Sequence, residues 1–223
     1  MNGKKYLVTA ASILLCIALF FFIITFSIGL PIYVRPFYYA HIKPMELAEA
    51  SGYTGEKIIA AYNEVLDYLT LPGKDFSAGE MKYSEEGAAH FADCKVLFDL
   101  NISVLLASLL VICAIKVLER IKGFKCRLCG HRPAFFAGIA AVVLPVVIGA
   151  LAATDFDRAF VVFHSLFFPG KDNWIFDPRT DEIINVLPQD FFMHCAILIG
   201  AGVIILSAAF IIYDIVDKKQ KRS

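Results

Sequence analysis

Four long apolar runs constrain the fold of this chain more than any other feature. They cover residues 6–30, 97–118, 133–154 and 191–213, and each reaches the roughly 20 helical residues that cross the hydrocarbon core of a bilayer. Backbone groups left unpaired in lipid are costly, so such runs cross as helices. The sequence therefore predicts an all-α fold, a single membrane domain over residues 1–223 with four transmembrane helices and a small helical and loop cap outside the membrane.

The charges beside these runs alternate in sign and predict an orientation. The N-terminal segment, the 119–132 loop and the 214–223 tail are basic, whereas segments 31–96 and 155–190 together hold 17 acidic and nine basic residues. Basic residues near transmembrane helices stay in the cytoplasm. We therefore expect a multi-pass protein of the cell membrane with both termini and the 119–132 loop inside, and segments 31–96 and 155–190 at the extracytoplasmic face.

The six cysteines give little sign of a disulfide framework or a metal centre. They fall mostly within or beside the apolar runs, so no disulfide framework is implied. One CxxC pair, Cys126 and Cys129, precedes His131 in the basic loop. A structural zinc site requires about four ligands, so a plain basic loop is favoured over a metal site there, and no cofactor is predicted.

The larger outer segment contains an amphipathic helical pattern over residues 56–70. A Pro-Gly pair at 72–73 ends the pattern. A helix with one apolar face is expected to lie on the bilayer or on the tops of the transmembrane helices. The apolar positions, which recur at helical spacing, are Ile58, Tyr62, Val65, Leu66 and Leu69.

Two histidines are expected near the outer boundary of the membrane. His90 lies at the head of a helix that continues from near residue 88 into the second apolar run, and Asp93 shares its face, where the carboxylate could orient the ring. His164 lies in a phenylalanine-rich stretch before the fourth run. Ionisable groups at that depth are costly and are functional by default, and imidazole titrates near physiological pH, which suits proton transfer.

Other candidate residues have weaker claims to chemistry. His194, at the start of the fourth run, has no visible carboxylate partner, and His41 is expected to be an anchor. Cys94 lies one turn after His90, but a cysteine at that position is more often simply buried. The outer segments carry no nucleophile motif. An enzyme built from these residues would supply acid–base groups and use the nucleophile of its substrate.

Two outer motifs together resemble a known family. EEGAAHFADCKVLF at 85–98 heads one apolar run, and FHSLFFPGKDNWIFDPRTDEIINVLPQDFF at 163–192 leads into the last. Their order in a small four-span chain is similar to that of the lipoprotein intramolecular transacylases, integral membrane proteins of bacteria. The resemblance implies an acyltransferase that moves the sn-2 acyl chain of a diacylglyceryl lipoprotein to the α-amino group of its N-terminal cysteine, giving a lyso-form lipoprotein.

The same resemblance implies roles for individual residues. The paired histidines of the family match His90 and His164, one as the base for the α-ammonium and the other as an imidazolium that stabilises the oxyanion and protonates the departing oxygen. The sequence does not decide which histidine takes which role. Candidates for holding the rings or the ammonium, or for shaping the loop, are Glu86, Asp93, Trp174, Asp177 and Arg179.

The expected partners are a diacylated lipoprotein substrate and membrane lipid, with no nucleic acid and with a monomer assumed. Two other interpretations stay open. An outer-leaflet lipid or lipoprotein hydrolase or acyltransferase would use the same histidines with water or another acceptor. A non-catalytic polytopic protein would use its outer loops only to dock a partner.

Overall fold

The described residues form helices joined by turns and loops, and they contain no β-strand beyond one isolated bridge between Leu128 and His131. The computed structural model describes residues 2–152 and 154–220, and the predicted all-α class is confirmed. Residue 153 of the predicted third span and residues 221–223 of the predicted tail lie outside that description. The helices are α1 (Asn2–Tyr33), α2 (Pro36–Ile42), α3 (Leu47–Ser51), α4 (Gly55–Thr70), α5 (Glu85–Lys122), α6 (Pro133–Ala152), α7 (Phe156–Phe167) and α8 (Gln189–Gln220), with a 3-10 helix at Glu182–Asn185.

Three helices are long and apolar enough to cross a membrane within the described ranges. They are Lys5–Tyr33, Glu85–Lys122 and Gln189–Gln220, with mean hydropathies of 2.9, 2.4 and 2.8. They correspond to the first, second and fourth predicted spans. The predicted third span corresponds to α6, a helix of 20 residues with Pro145 inside it, and its crossing stays a prediction.

Helix α5 is longer than a membrane crossing requires. Its 38 residues extend about 57 Å at 1.5 Å per residue, against about 30 Å of hydrocarbon. If the apolar stretch 97–118 crosses, residues 85–96 lie outside the hydrocarbon. The helix begins at Glu85, close to the predicted start near residue 88, because the Ser84 side chain caps it by accepting a 2.9 Å hydrogen bond from the Gly87 amide.

The chain divides into two compact units. The first comprises Met1–Ile28, Asn101–Ala150 and Leu198–Ser223, and the second comprises Gly29–Leu100 and Leu151–Ile197. His90 and His164 both belong to the second unit, so its packing positions the candidate site.

Helix α4 forms the core of the second unit with the apolar face that its sequence predicts. Tyr38 of α2 stacks on Tyr62 with 3.7 Å between ring centroids, and its hydroxyl donates a 2.7 Å hydrogen bond to the carbonyl of Val186. A buried aromatic pair of this kind contributes about 0.5–1.5 kcal/mol beyond the area it buries. The predicted positions, none more than 6% exposed, are Ile58, Tyr62, Val65, Leu66 and Leu69.

A buried carboxylate joins the loop before α8 to the start of α5. Asp181 is 4% exposed and accepts hydrogen bonds from the Ser84 amide at 2.8 Å and the Ser84 hydroxyl at 2.9 Å. A Cβ at Gly87 would lie 2.1 Å from Asp181 Oδ1, so this approach requires glycine. The contact holds the 177–187 loop against the helix that carries His90.

Candidate active site

The second unit brings His90 and His164 together from two different helices. His90 lies in the second turn of α5 and His164 in the last turns of α7. Their ring centroids are 5.8 Å apart with 33° between the ring planes, and the residues are 6% and 7% exposed. The pair is therefore almost fully removed from water and close enough for one small group to contact both rings.

The protein fixes the His164 ring on two sides. Its Nδ1 lies 2.8 Å from the carbonyl oxygen of Phe160, so Nδ1 carries the proton and donates it, because a carbonyl only accepts. In the neutral ring this leaves the lone pair on Nε2. Trp174 stacks on the imidazole with centroids 4.3 Å apart and 23° between planes. Burial lowers the pKa of His164, and the Phe160 carbonyl opposes part of that effect.

His90 lies in an aromatic setting that disfavours its charged form. The rings of Phe168 and Phe176 meet it edge-on at centroid distances of 5.0 and 5.5 Å. Burial, reinforced by His164, lowers the pKa of His90 to about 4. Its Nε2 lies 3.4 Å from the Cys94 sulfur, and its buried Nδ1 has no hydrogen-bond partner among the described residues.

The lowered pKa values of His90 and His164 determine the charge of the pair when no substrate is bound. With both pKa values below the ordinary value of about 6.5, both rings are neutral at pH 7. A proton on one ring further disfavours a proton on the other, because like charges at this distance repel. The pair is therefore arranged to accept one proton at a time.

Asp93 does not contact His90 as the sequence suggested. Its carboxylate forms an ion pair with Lys171 and accepts a 3.1 Å hydrogen bond from the side-chain amide of Asn173. Asn173 also raises the pKa of His90. Neither Asn173 Oδ1 nor His90 Nδ1 forms a hydrogen bond with a described residue. Asp93 raises the pKa of His90 directly through its charge and also holds Asn173, a residue that sequence reasoning missed.

Of the other predicted residues, only Trp174 reaches the histidine pair. Asp177 and Arg179 pair with each other across a turn, with Arg179 Nη2 2.7 Å from Asp177 Oδ2, and this partner lowers the pKa of Asp177 to about 2. Glu86 is exposed. No hydrogen bond, ion pair or ring contact between described residues links Glu86, Asp177 or Arg179 to either histidine.

His194 and His41 form a second histidine pair instead of joining the first. Their ring centroids are 5.0 Å apart, and His41 Nδ1 lies 2.7 Å from the carbonyl oxygen of Phe37. Within the described chain neither ring contacts His90 or His164. His194, the lower-ranked candidate, therefore lies outside the His90–His164 pair.

Neither nearby hydroxyl nor thiol is prepared to act as a nucleophile. Burial raises the pKa of Cys94 to about 12, so its thiol stays protonated at neutral pH, whereas the thiolate is the reactive form. The Ser165 hydroxyl donates a 2.9 Å hydrogen bond to the carbonyl of Val161 in its own helix. The chemistry available at this site is proton transfer by two imidazoles.

The CxxC loop has a structural explanation without a metal. Cys126 is buried and Cys129 is exposed, and His131 Nδ1 lies 2.6 Å from the carboxylate of Asp214. Among the described residues there is no group of three or more His, Cys, Asp or Glu side chains that could hold a metal ion.

Comparison with solved structures shows the fold. The membrane-integral lipoprotein intramolecular transacylase Lit from Bacillus cereus matches with a TM-score of 0.85 and 24% identity over 100% of both chains. Two structures of that protein with one histidine replaced, by arginine or by alanine, match at 22% identity. Their TM-scores are 0.81 and 0.79. The arginine variant matches over 99% of this chain and 96% of its own, and the alanine variant over 100% of this chain and 99% of its own. Together with the apolar helices, this fold makes the chain a multi-pass membrane protein.

Comparison of sequence gives the family. No curated protein matches this chain. The family model for the lipoprotein intramolecular transacylase Lit, however, matches residues 13–192, which include α4, α5, α7 and both histidines of the pair. The chain therefore belongs to the lipoprotein intramolecular transacylase family.

Proposed function

We propose that this protein moves the sn-2 acyl chain of a diacylglyceryl lipoprotein to the α-amino group of the N-terminal cysteine of the same molecule. The observation that carries the proposal is the buried, neutral pair of His90 and His164 with no prepared protein nucleophile beside it. Such a pair suits a reaction in which the substrate supplies both the nucleophile and the ester.

The reaction needs a base because the attacking amine is normally protonated. An α-amino group has a pKa near 7.7–8.0 when unperturbed, so at neutral pH most of it is ammonium. The reaction also needs the amine and the ester held together, and a well-oriented intramolecular attack recovers roughly 7–11 kcal/mol of the barrier. The protein has to supply a proton acceptor and a shaped, dry site.

We assign the proton transfers to His164. Its Nε2 lone pair takes a proton from the α-ammonium, and the Phe160 carbonyl at Nδ1 stabilises the imidazolium that forms. The free amine attacks the ester carbonyl carbon, which forms the C–N bond and a tetrahedral oxyanion. His164 then delivers its proton to the sn-2 oxygen as the C–O bond breaks, and the second proton that the nitrogen loses leaves to solvent.

We assign the oxyanion to His90. A pKa of about 4 favours a neutral ring there, in place of the imidazolium that the family resemblance suggested. A neutral imidazole still carries one N–H group. The buried Nδ1 has no hydrogen-bond partner in the described chain, so an N–H at this atom could donate a hydrogen bond to the substrate oxyanion. Asn173, held by Asp93, positions this ring.

The orientation of the protein remains part of the proposal. The second unit holds the acidic segments and would face the outside of the cell, where the outer leaflet presents diacylated lipoproteins. An acid-rich surface favours approach of a substrate with a free ammonium group.

A synthetic diacylated lipopeptide tests the proposed reaction in proteoliposomes. Transacylation leaves the mass of the lipopeptide unchanged while fragmentation places one acyl chain on the nitrogen. A hydrolase would instead release one acyl chain and lower the mass, and a non-catalytic partner protein would leave the lipopeptide intact. Protein-free liposomes are the control for reaction without enzyme, and the His90→Ala/His164→Ala double variant is the control for reaction without the histidine pair.

A further inference from the structure

A cavity of about 430 Å³ lies in the first unit. Residues of α1, α5, α6 and α8 and of the loop between α5 and α6 line it, and none belongs to the histidine site. A volume of this size accommodates the head of a lipid or another small ligand.

One wall of the cavity is apolar and continuous with the candidate membrane-spanning helices. Leu15 and Leu19 of α1 and Phe210 of α8 line it. Leu15 is 1% exposed and belongs to a small core with Ile115. Leu15 is therefore covered by protein, and the half-buried Leu19 and Phe210 are the part of this wall on which a hydrocarbon chain could lie.

The rest of the lining includes four cations and one acid. The acid, Glu119, is neutralised, because it pairs with Lys116 at 2.9 Å and accepts a 2.6 Å hydrogen bond from the Cys126 amide. These contacts also hold the loop in place. The cations are Lys116, Lys125, Arg127 and Arg132.

The two arginines are held from outside the cavity. Arg127 and Arg132 pair with Asp217 at 2.8 and 2.9 Å, and Arg132 also lies over the Tyr213 ring at 4.5 Å from the centroid. Lys125 has no hydrogen bond or ion pair with any described residue. The cavity therefore combines ordered guanidinium groups, one uncompensated ammonium group and an apolar wall.

We propose that this cavity binds an anionic phospholipid, with the phosphate against the cations of the lining and the beginning of an acyl chain against Leu19 and Phe210. Basic pockets between membrane helices bind anionic lipid head groups. The apolar wall favours a lipid over a water-soluble anion, which would leave that surface uncovered.

Native mass spectrometry of the purified full-length protein in detergent tests this proposal. The protein is titrated with phosphatidylglycerol and, in parallel, with phosphatidylcholine of the same acyl chains. Phosphatidylglycerol is expected to bind at least tenfold more tightly. Lys125→Glu should weaken that binding about tenfold or more, and Ala134→Phe, which fills the cavity without changing the charge, should weaken it as well.

Lys122→Glu is the matched control. Lys122 is exposed in the last turn of α5 and does not line the cavity, so this charge reversal should change the affinity less than twofold. Equal affinity for the two lipids, or an equal loss in the Lys122→Glu variant, would overturn the proposal. So would displacement of the lipid by inorganic phosphate at equal concentration, which would identify a site for a free anion.

Discussion

The rings of His90 and His164 face each other at 5.8 Å, and neither accepts or donates a hydrogen bond to a carboxylate in the described chain. His164 is oriented by the Phe160 carbonyl and His90 by aromatic rings and Asn173. A carboxylate partner would raise the pKa of a histidine. Its absence at both rings leaves burial as the main influence, which is why both stay neutral and free to accept a proton.

Removing either histidine of the pair should greatly slow the reaction. His90→Ala and His164→Ala are each expected to lower the rate of lyso-form lipopeptide formation by roughly 10² to 10⁴, the usual contribution of a positioned proton-transfer group. The double variant should lose much less than the product of the two factors, because groups that act as a unit are non-additive. Mass spectrometry of the lipopeptide product in proteoliposomes measures all three rates.

Cys94→Ala and Ser165→Ala are the controls for that experiment. Neither side chain is proposed to carry the acyl group, so both variants should stay within a few-fold of the unaltered protein. An acyl chain trapped on Cys94 or Ser165, or normal turnover by the double histidine variant, would contradict the proposed chemistry.

The stability of the protein should fall in mild acid because of His90. Its pKa is about 4 in the folded state against about 6.5 when unfolded, so between these values the unfolded state binds a proton that the folded state does not. Full stability is present above pH 6.5 and is lost as the pH falls toward 4, by about 2 kcal/mol at pH 5. Unfolding free energies at pH 7.5 and 5.0 should differ less in His90→Gln, and an unchanged difference would refute the assignment.

Asn173 and Asp93 should act on His90 rather than on substrate. Asn173→Ala is expected to lower the rate of lyso-form lipopeptide formation by up to about tenfold, because it removes a neighbour that raises the pKa of His90, with little change in KM. Asn173 and Asp93 both raise the pKa of His90, whereas Lys171 lowers it. An NMR titration of the ring should therefore shift to lower pH in Asn173→Ala and Asp93→Asn and to higher pH in Lys171→Met. Shifts of one sign in all three would indicate general structural damage.

Gly87→Ala should destabilise the junction between α5 and the 177–187 loop. The added Cβ would meet Asp181 Oδ1 at 2.1 Å, and the displacement of a buried carboxylate should cost about 1–3 kcal/mol. Gly55→Ala is a matched control in the same unit, because nothing lies within 4 Å of its Cβ position. That variant should stay within about 1 kcal/mol of the unaltered protein. Thermal unfolding of both variants in detergent decides between them.

The proposed orientation can be tested with variants that each keep one cysteine, all other natural cysteines being replaced. Lys74→Cys and the natural Cys129 are both exposed side chains, one in segment 31–96 and the other in the basic loop. A membrane-impermeant maleimide should label Lys74→Cys in intact cells and should reach Cys129 only after permeabilisation. The reverse pattern would place the histidine pair on the cytoplasmic side.

Periodicity and hydropathy predicted the long helices α1, α4, α5, α6 and α8, but not the short helices α2 and α3. The five apolar positions of α4 are all buried, since a 3.6-residue repeat determines which face packs inward. The start of α5 was predicted near residue 88, close to the observed start at Glu85. Chemical reasoning about two histidines at one depth anticipated that His90 and His164 would lie near each other.

The surroundings of the histidines could not be predicted in the same way. The stretch from 168 to 188 has no periodic pattern, and its path depends on the contact between Asp181 and Ser84, which are distant in sequence. Asp93 shares a helix face with His90, yet its carboxylate forms an ion pair with Lys171 of that stretch instead of orienting the His90 ring. An uncharged amide such as Asn173 carries no sequence signal that distinguishes it from an ordinary loop residue.

The stacking of Trp174 on His164 has a practical consequence, because Trp174 is the only tryptophan in the chain. All of the intrinsic tryptophan emission of the protein arises within van der Waals distance of the proposed base. An imidazolium quenches indole fluorescence more strongly than a neutral imidazole does. The emission intensity should therefore report the protonation state of His164. The measurement needs no label and can be followed in a stopped-flow instrument while a lipopeptide enters the site.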